Sequence, residues 1–104
     1  MTVYVDGANI QATVGRHTSK WSHLTADSPD ELHTFAKRLG LRREWFQTCR
    51  TRCGKPGAPC VHWHYDVTAP KRAVAVRLGA VEIDMRQMGE LISERRRALK
   101  EATT

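Results

Sequence analysis

Between Cys49 and Asp66 the chain sets all three of its cysteines, two histidines and an aspartate: Cys49-x3-Cys53-x6-Cys60-x-His62-x-His64-Tyr65-Asp66. The stretch from Thr51 to Pro59 is rich in Gly, Pro, Arg and Lys and carries little apolar surface with which to fold itself. A chain built this way must either leave that segment loose or tie it down with something other than a hydrophobic core. Thiolate and imidazole are the donors Zn2+ prefers in tetrahedral sites. The segment is therefore expected to be a metal-binding loop, with four of Cys49, Cys53, Cys60, His62 and His64 as ligands. A Cys3His set closed by either histidine would be structural, whereas an open fourth position would let a water be activated. The spacing lacks the usual CxxC pair, and the plain alternative is three free thiols beside ordinary histidines.

An odd cysteine count argues against a closed disulfide framework, and clustered thiols in a reducing compartment are more often ligands than bridges. With no basic start followed by an apolar run, and no stretch near the roughly 18 apolar residues of a membrane span, a cytoplasmic protein without membrane association is expected. At 104 residues the chain fits one domain spanning 1–104. Lys and Arg number 17 against 11 Asp and Glu, a formal charge of +6. Such a balance favours polyanionic partners, DNA or RNA first.

The element signals alternate. Thr2 to Asp6 is β-branched and aromatic and reads as a strand, Gly7 to Lys20 as a loop, and Trp21 to Asp27 as a second strand centred on His23, Leu24 and Thr25. Ser28-Pro29-Asp30-Glu31 opens a helix with an N-cap, a proline in the first turn and a capping-box glutamate. Leu32, Phe35, Ala36 and Leu39 form its stripe, and Gly40 ends it. Arg42 to Gln47 adds a short turn expected to bury Trp45 and Phe46.

His62 to Val67 alternates as a strand, and Thr68 caps a helix from Ala69 to Leu78. In that helix Lys71 and Arg72 are expected outward, and Ala73, Val76 and Leu78 inward. Ala80 to Ile83 is a fourth strand, and Asp84 caps a terminal helix with Met88, Leu91, Ile92 and Leu99 along one side. Its Arg95-Arg96-Arg97 triplet is expected as a solvated end that suits the helix dipole. The order predicts a small α/β domain, with a mixed or partly parallel sheet of about four strands and three helices.

Each expected strand ends in aspartate: Asp6, Asp27, Asp66 and Asp84. In a parallel α/β sheet ligands gather beyond the carboxyl ends of the strands, and converging carboxylates there would hold Mg2+ or Mn2+ against a phosphate. His23, His33 and His64 could join them. A catalytic centre drawn from Asp6, His23, His33, His64 and Asp66 would suit phosphodiester hydrolysis, with His64 as general base or metal ligand. Against this, Asp84 reads equally as an N-cap and Asp27 sits just before one. The start Val5-Asp6-Gly7-Ala8-Asn9 resembles the first strand and Asp-Gly-x-Asn turn of NYN/PIN-type ribonucleases, without the rest of their acidic pattern.

A longer set of motifs carries a second resemblance. It comprises Val3-Tyr4-Val5-Asp6, Trp21-Ser22-His23-Leu24, Asp30-Glu31-Leu32-His33-x-Phe35-Ala36-x-x-Leu39-Gly40, Trp45-Phe46, His64-Tyr65-Asp66-Val67, and Lys71-Arg72 through Leu78-Gly79-Ala80. Over about residues 1–84 the chain resembles an uncharacterised family of small proteins, a domain of unknown function found in actinobacteria, other bacteria and their phages. The resemblance implies no activity. It implies that His23, His33, His64, Tyr65 and Asp66 occupy motif positions, whereas the cysteines stand outside the general pattern. A phage origin would accord with the small size and basic charge.

Arg42, Arg43, Arg50, Arg52 and Lys55 form a basic run near Trp45 and Trp63, a combination that can hold phosphate and stack a base. Three functions are open at this point: a zinc-stabilised protein associated with nucleic acid or regulation, a metal-dependent hydrolase of nuclease type using Asp6, His64 and Asp66, and a module that binds a host protein.

Overall fold

The computed structural model describes residues 2–7, 10–14, 17–48 and 60–102. Five strands and three helices follow in the order β1 (Val3–Asp6), β2 (Ile10–Val14), β3 (His17–Ala26), α1 (Pro29–Arg38), β4 (Tyr65–Thr68), α2 (Ala69–Arg77), β5 (Val81–Ile83) and α3 (Met85–Ala102), with a 3-10 turn at Arg43–Trp45 between α1 and β4. The α/β class and mixed sheet agree with the sequence expectation. The segment read as a loop from Gly7 to Lys20 instead contributes β2 and the first part of β3. Its polar residues lack an apolar stripe, but β2 pairs locally with β3 from Ile10↔Trp21 to Val14↔His17.

β3 is the hub. β1 and β4 both pair with it antiparallel, on opposite edges, because both meet Leu24. β5 lies parallel to β1. Between the pairs Val5↔Leu24 and Ile10↔Trp21, the Asp6 carboxylate accepts from the His23 backbone amide at 2.8 Å.

Strand alternation gives the sheet two different faces. Val5, Leu24, Ala26, Tyr65 and Val67 point to one, beneath Leu32, Phe35 and Ala36 of α1, Leu39 just past its end and Ala75 of α2, and form the main core. Truncating the fully buried Leu32 to Ala would cost about 2–5 kcal/mol through lost burial and the void left behind. Tyr4, Asp6, His23, Thr25 and Asp66 alternate onto the other face, which α3 approaches with Met88, Ile92 and Arg95.

The helix ends follow the sequence except at α2, where Thr68 stands at the N-cap position but its side chain makes no capping bond. Ser28 Oγ accepts from Glu31 N at 3.3 Å. Asp84 and Gln87 cap α3 reciprocally, Gln87 N to Asp84 Oδ1 at 2.7 Å and Asp84 N to Gln87 Oε1 at 2.9 Å. Arg38-Leu39-Gly40 and Arg77-Leu78-Gly79 end α1 and α2 alike, with glycine φ of 80° and 109°. In each, the amide after the glycine reaches back to Ala36 or Ala75, at 2.9 and 3.0 Å, the bond that closes a Schellman motif.

Four side chains depart from expectation. Trp45 is half exposed, because the 3-10 turn lies at the surface. Ala73 faces outward, and Ala75 is the buried alanine of α2. Arg72 does not simply point to solvent: its Nε donates to the Asp6 carbonyl at 3.0 Å and its guanidinium pairs with Glu82 at 2.9 Å. Arg95 is no solvated helix end, since α3 continues to Ala102 and turns this residue inward onto the sheet.

Candidate metal centre

His23 of β3 and Asp66 of β4 are direct cross-strand partners, so their side chains leave the same face of the sheet as neighbours. His64, two residues before Asp66, brings its ring beside both. The His23 and His64 ring centroids are 4.9 Å apart, and His64 Nε2 lies 3.2 Å from Asp66 Oδ1. One donor atom from each of His23, His64 and Asp66 can be chosen so that all lie within 4.8 Å of one another.

Each of these three groups is held from behind. Asp6, fully buried, receives both the ring Nδ1 of His23 at 2.7 Å and its backbone amide at 2.8 Å. His64 Nδ1 lies 2.6 Å from the His62 carbonyl. Gln47 donates to Asp66 Oδ2 at 2.6 Å, and is itself fixed by paired backbone bonds with His64 of 2.9 and 3.0 Å.

These partners decide the tautomers. A carbonyl and an ionised carboxylate only accept, so both Nδ1 atoms carry the proton and both Nε2 atoms hold a lone pair when neutral. The His64 lone pair then meets the Asp66 carboxylate across 3.2 Å. Two acceptors at that distance require a proton or a metal cation to share. Two imidazole nitrogens and one carboxylate, each tied to an outer partner, fit such a cation.

Charge follows the same geometry. The hydrogen bond to Asp6 raises the His23 pKa above its ordinary value against the opposing effect of burial. For Asp66 burial pushes upward, but the hydrogen bond and charge that His64 supplies in its protonated form, with Gln47 and His23, outweigh it and hold the carboxyl below its usual range. The face is therefore set up for a carboxylate next to positive charge.

Of the five residues expected to form a catalytic centre, His23, His64 and Asp66 converge and Asp6 stands directly behind. His33 does not join them. It lies with Phe46 and Tyr65, its Nδ1 2.9 Å from the Tyr65 hydroxyl, and burial together with Arg43 lowers its pKa. The four strand aspartates do not gather at one sheet end, because β3 is antiparallel to β1. Asp27 meets Thr2 N and the Tyr4 hydroxyl at 3.0 and 2.8 Å, and Asp84 is the α3 cap.

Cys49, Cys53, Arg50, Arg52 and Lys55 lie outside the described residues. Cys60 is described, and its Sγ accepts from His62 N at 3.2 Å. Arg42 pairs with exposed Glu44 at 3.3 Å, and the Arg42 and Arg43 guanidinium carbons stand 5.7 and 5.0 Å from the Trp45 and Phe46 rings. Gln47 was not marked by any motif, since its role depends on a backbone bridge that residue spacing does not encode. Arg95 was masked by its charged neighbours.

Among the described residues no helix is long and apolar enough to cross a membrane. No curated protein and no solved structure matches the chain. The model of one family does match, over residues 3–95, a span that contains β1 to β5 and every residue of the centre. The chain thus belongs to the family described as Protein of unknown function (DUF4031).

Proposed function

We propose that the chain is a metal-dependent hydrolase of anionic esters, with His23, His64 and Asp66 holding one divalent cation. The observation that supports this best is the His64–Asp66 contact, a lone pair facing a carboxylate with an outer partner behind each. Three protein donors leave coordination positions open, as catalytic zinc sites do. When bound, the ion would supply a water of lowered pKa and polarise the scissile bond. Asp6 and the His62 carbonyl keep both Nε2 atoms available, and Gln47 fixes the rotation of Asp66. Imidazoles favour Zn2+ over Mg2+, which prefers an all-oxygen shell. The same donor set accepts Fe2+, so reconstitution with each metal is part of the test.

Protein stripped with chelator should take up one Zn2+ per chain, and His64→Ala and Asp66→Asn should not. Loaded wild type should cleave bis(p-nitrophenyl) phosphate or mono(p-nitrophenyl) succinate, and the two variants should not. Failure of the wild type to take up any of these metals would end the proposal.

A second reading, a zinc-stabilised loop in a nucleic-acid-associated protein, draws support from the net charge of +6 and from the turn that joins Cys60 to His62. It predicts zinc that survives His23→Ala and is lost in Cys53→Ser, together with DNA or RNA binding that weakens steeply with salt.

A further inference from the structure

A cleft of about 160 Å3 opens beside the centre, with His23 and His64 on one wall and Met85, Met88, Ile92 and Arg95 of α3 on the other. Arg95 reaches into the sheet. Its guanidinium donates to Thr25 Oγ1 and the Ala26 carbonyl, both at 2.7 Å, and to the Val61 carbonyl at 3.0 Å. All three acceptors are neutral. Among the described residues no carboxylate forms an ion pair with it.

We propose, building on the hydrolase reading, that this cleft binds a small carboxylic ester carrying one anionic group, a carboxylate or phosphate, which Arg95 recognises while the scissile acyl bond lies at the metal centre. The spacing sets the size of the ligand. Thr25, which holds Arg95, and His23 stand on one face of β3 two residues apart, with their backbones roughly 7 Å from one another. That is the span of a few carbon–carbon bonds, and Met88 and Ile92 offer an apolar wall between the ends. The volume lies well below the roughly 300–1,000 Å3 of most ligand pockets, which suits a short molecule. Burial lowers the Arg95 pKa only to about 10, so the cation persists at neutral pH.

A nucleic-acid strand suits the cleft less well. Its aromatic side chain is Trp63, and the Arg95 guanidinium carbon already covers that ring at 3.7 Å from the centroid. Base stacking needs a free aromatic face. In the reaction proposed, the oxygen of water bonds to the acyl carbon, the ester carbon–oxygen bond breaks, and the departing alcohol takes the water's proton. No oxidant or co-reactant is needed.

The test is calorimetric binding to zinc-loaded protein of monomethyl succinate, 2-acetoxyethyl phosphate and the neutral dimethyl succinate. At least one anionic ester should bind about ten-fold more tightly than the neutral one, the worth of one charge-assisted contact. The tighter of the two identifies the anion. Arg95→Gln should erase the preference while zinc uptake is unchanged. Because Arg95 also anchors α3, Ile92→Phe provides a second variant, which should weaken binding of all three esters with zinc uptake intact. Equal affinities, binding of none, an unaltered preference in folded Arg95→Gln, or no effect of Ile92→Phe would each overturn the assignment. So would displacement of the ester by a thymidine octamer, which would give the cleft to a strand. Absence of zinc in the wild type would instead remove the hydrolase reading on which the assignment rests.

Discussion

Both carboxylate oxygens of Asp6 accept from His23, one from the ring at 2.7 Å and one from the backbone amide at 2.8 Å. A single buried side chain thereby satisfies a backbone amide of β3 and selects the tautomer that leaves Nε2 free. Structure and chemistry are joined at that pair, and this gives Asp6→Asn two separable consequences.

In Asp6→Asn the side-chain amide keeps one acceptor for the His23 amide but loses the charge behind the ring. Loss of an outer carboxylate typically costs about 10–100-fold in metal affinity. Competition against a chromophoric zinc chelator should show a fall of that size, with secondary structure unchanged by circular dichroism. An unaltered affinity would mean that His23 is not a ligand.

Protons and metal compete for the same nitrogen. Since Asp6 raises the His23 pKa, zinc affinity should start to decline at a pH above the ordinary imidazole value of about 6.5. It should fall further on acidification. Zinc titrations between pH 6 and 8.5 would reveal the onset, and affinity flat across that window would contradict it.

His33 offers a pH test on stability apart from the metal. Its folded pKa is lowered, first by burial and then by Arg43, so its contribution is present above the unfolded value of about 6.5 and lost as pH falls through the lower folded value. Urea midpoints of wild type and His33→Gln, both with chelator, should therefore converge between pH 7.5 and pH 5. A gap that widens on acidification would reverse the sign.

Arg95→Leu removes the guanidinium that ties α3 to Thr25, Ala26 and Val61, and with it three hydrogen bonds. Hydrogen bonds from charged donors contribute about 1.5–3 kcal/mol each, though not additively. A loss of at least about 2 kcal/mol in urea unfolding is expected, against little change for exposed Arg96→Leu. Equal effects of the two substitutions would show that Arg95 does not hold the helix in place.

The local elements were legible in the chain itself. Ser28-Pro29 and Asp84 fixed helix starts, Gly40 and Gly79 fixed helix ends, and Val3 to Asp6 announced a strand, because each of those signals acts within a few residues of itself. Asp6, His23, His64 and Asp66 could be named as candidates from side-chain chemistry. Only the tertiary structure decided that His23 stands opposite Asp66, that Gln47 belongs behind them, and that His33 lies apart with Tyr65. It also parted the four aspartates and turned Arg95 inward from a charged triplet. Strand pairing joins residues far apart in the chain, and periodicity records which face a side chain takes without recording the partner or direction of the neighbouring strand.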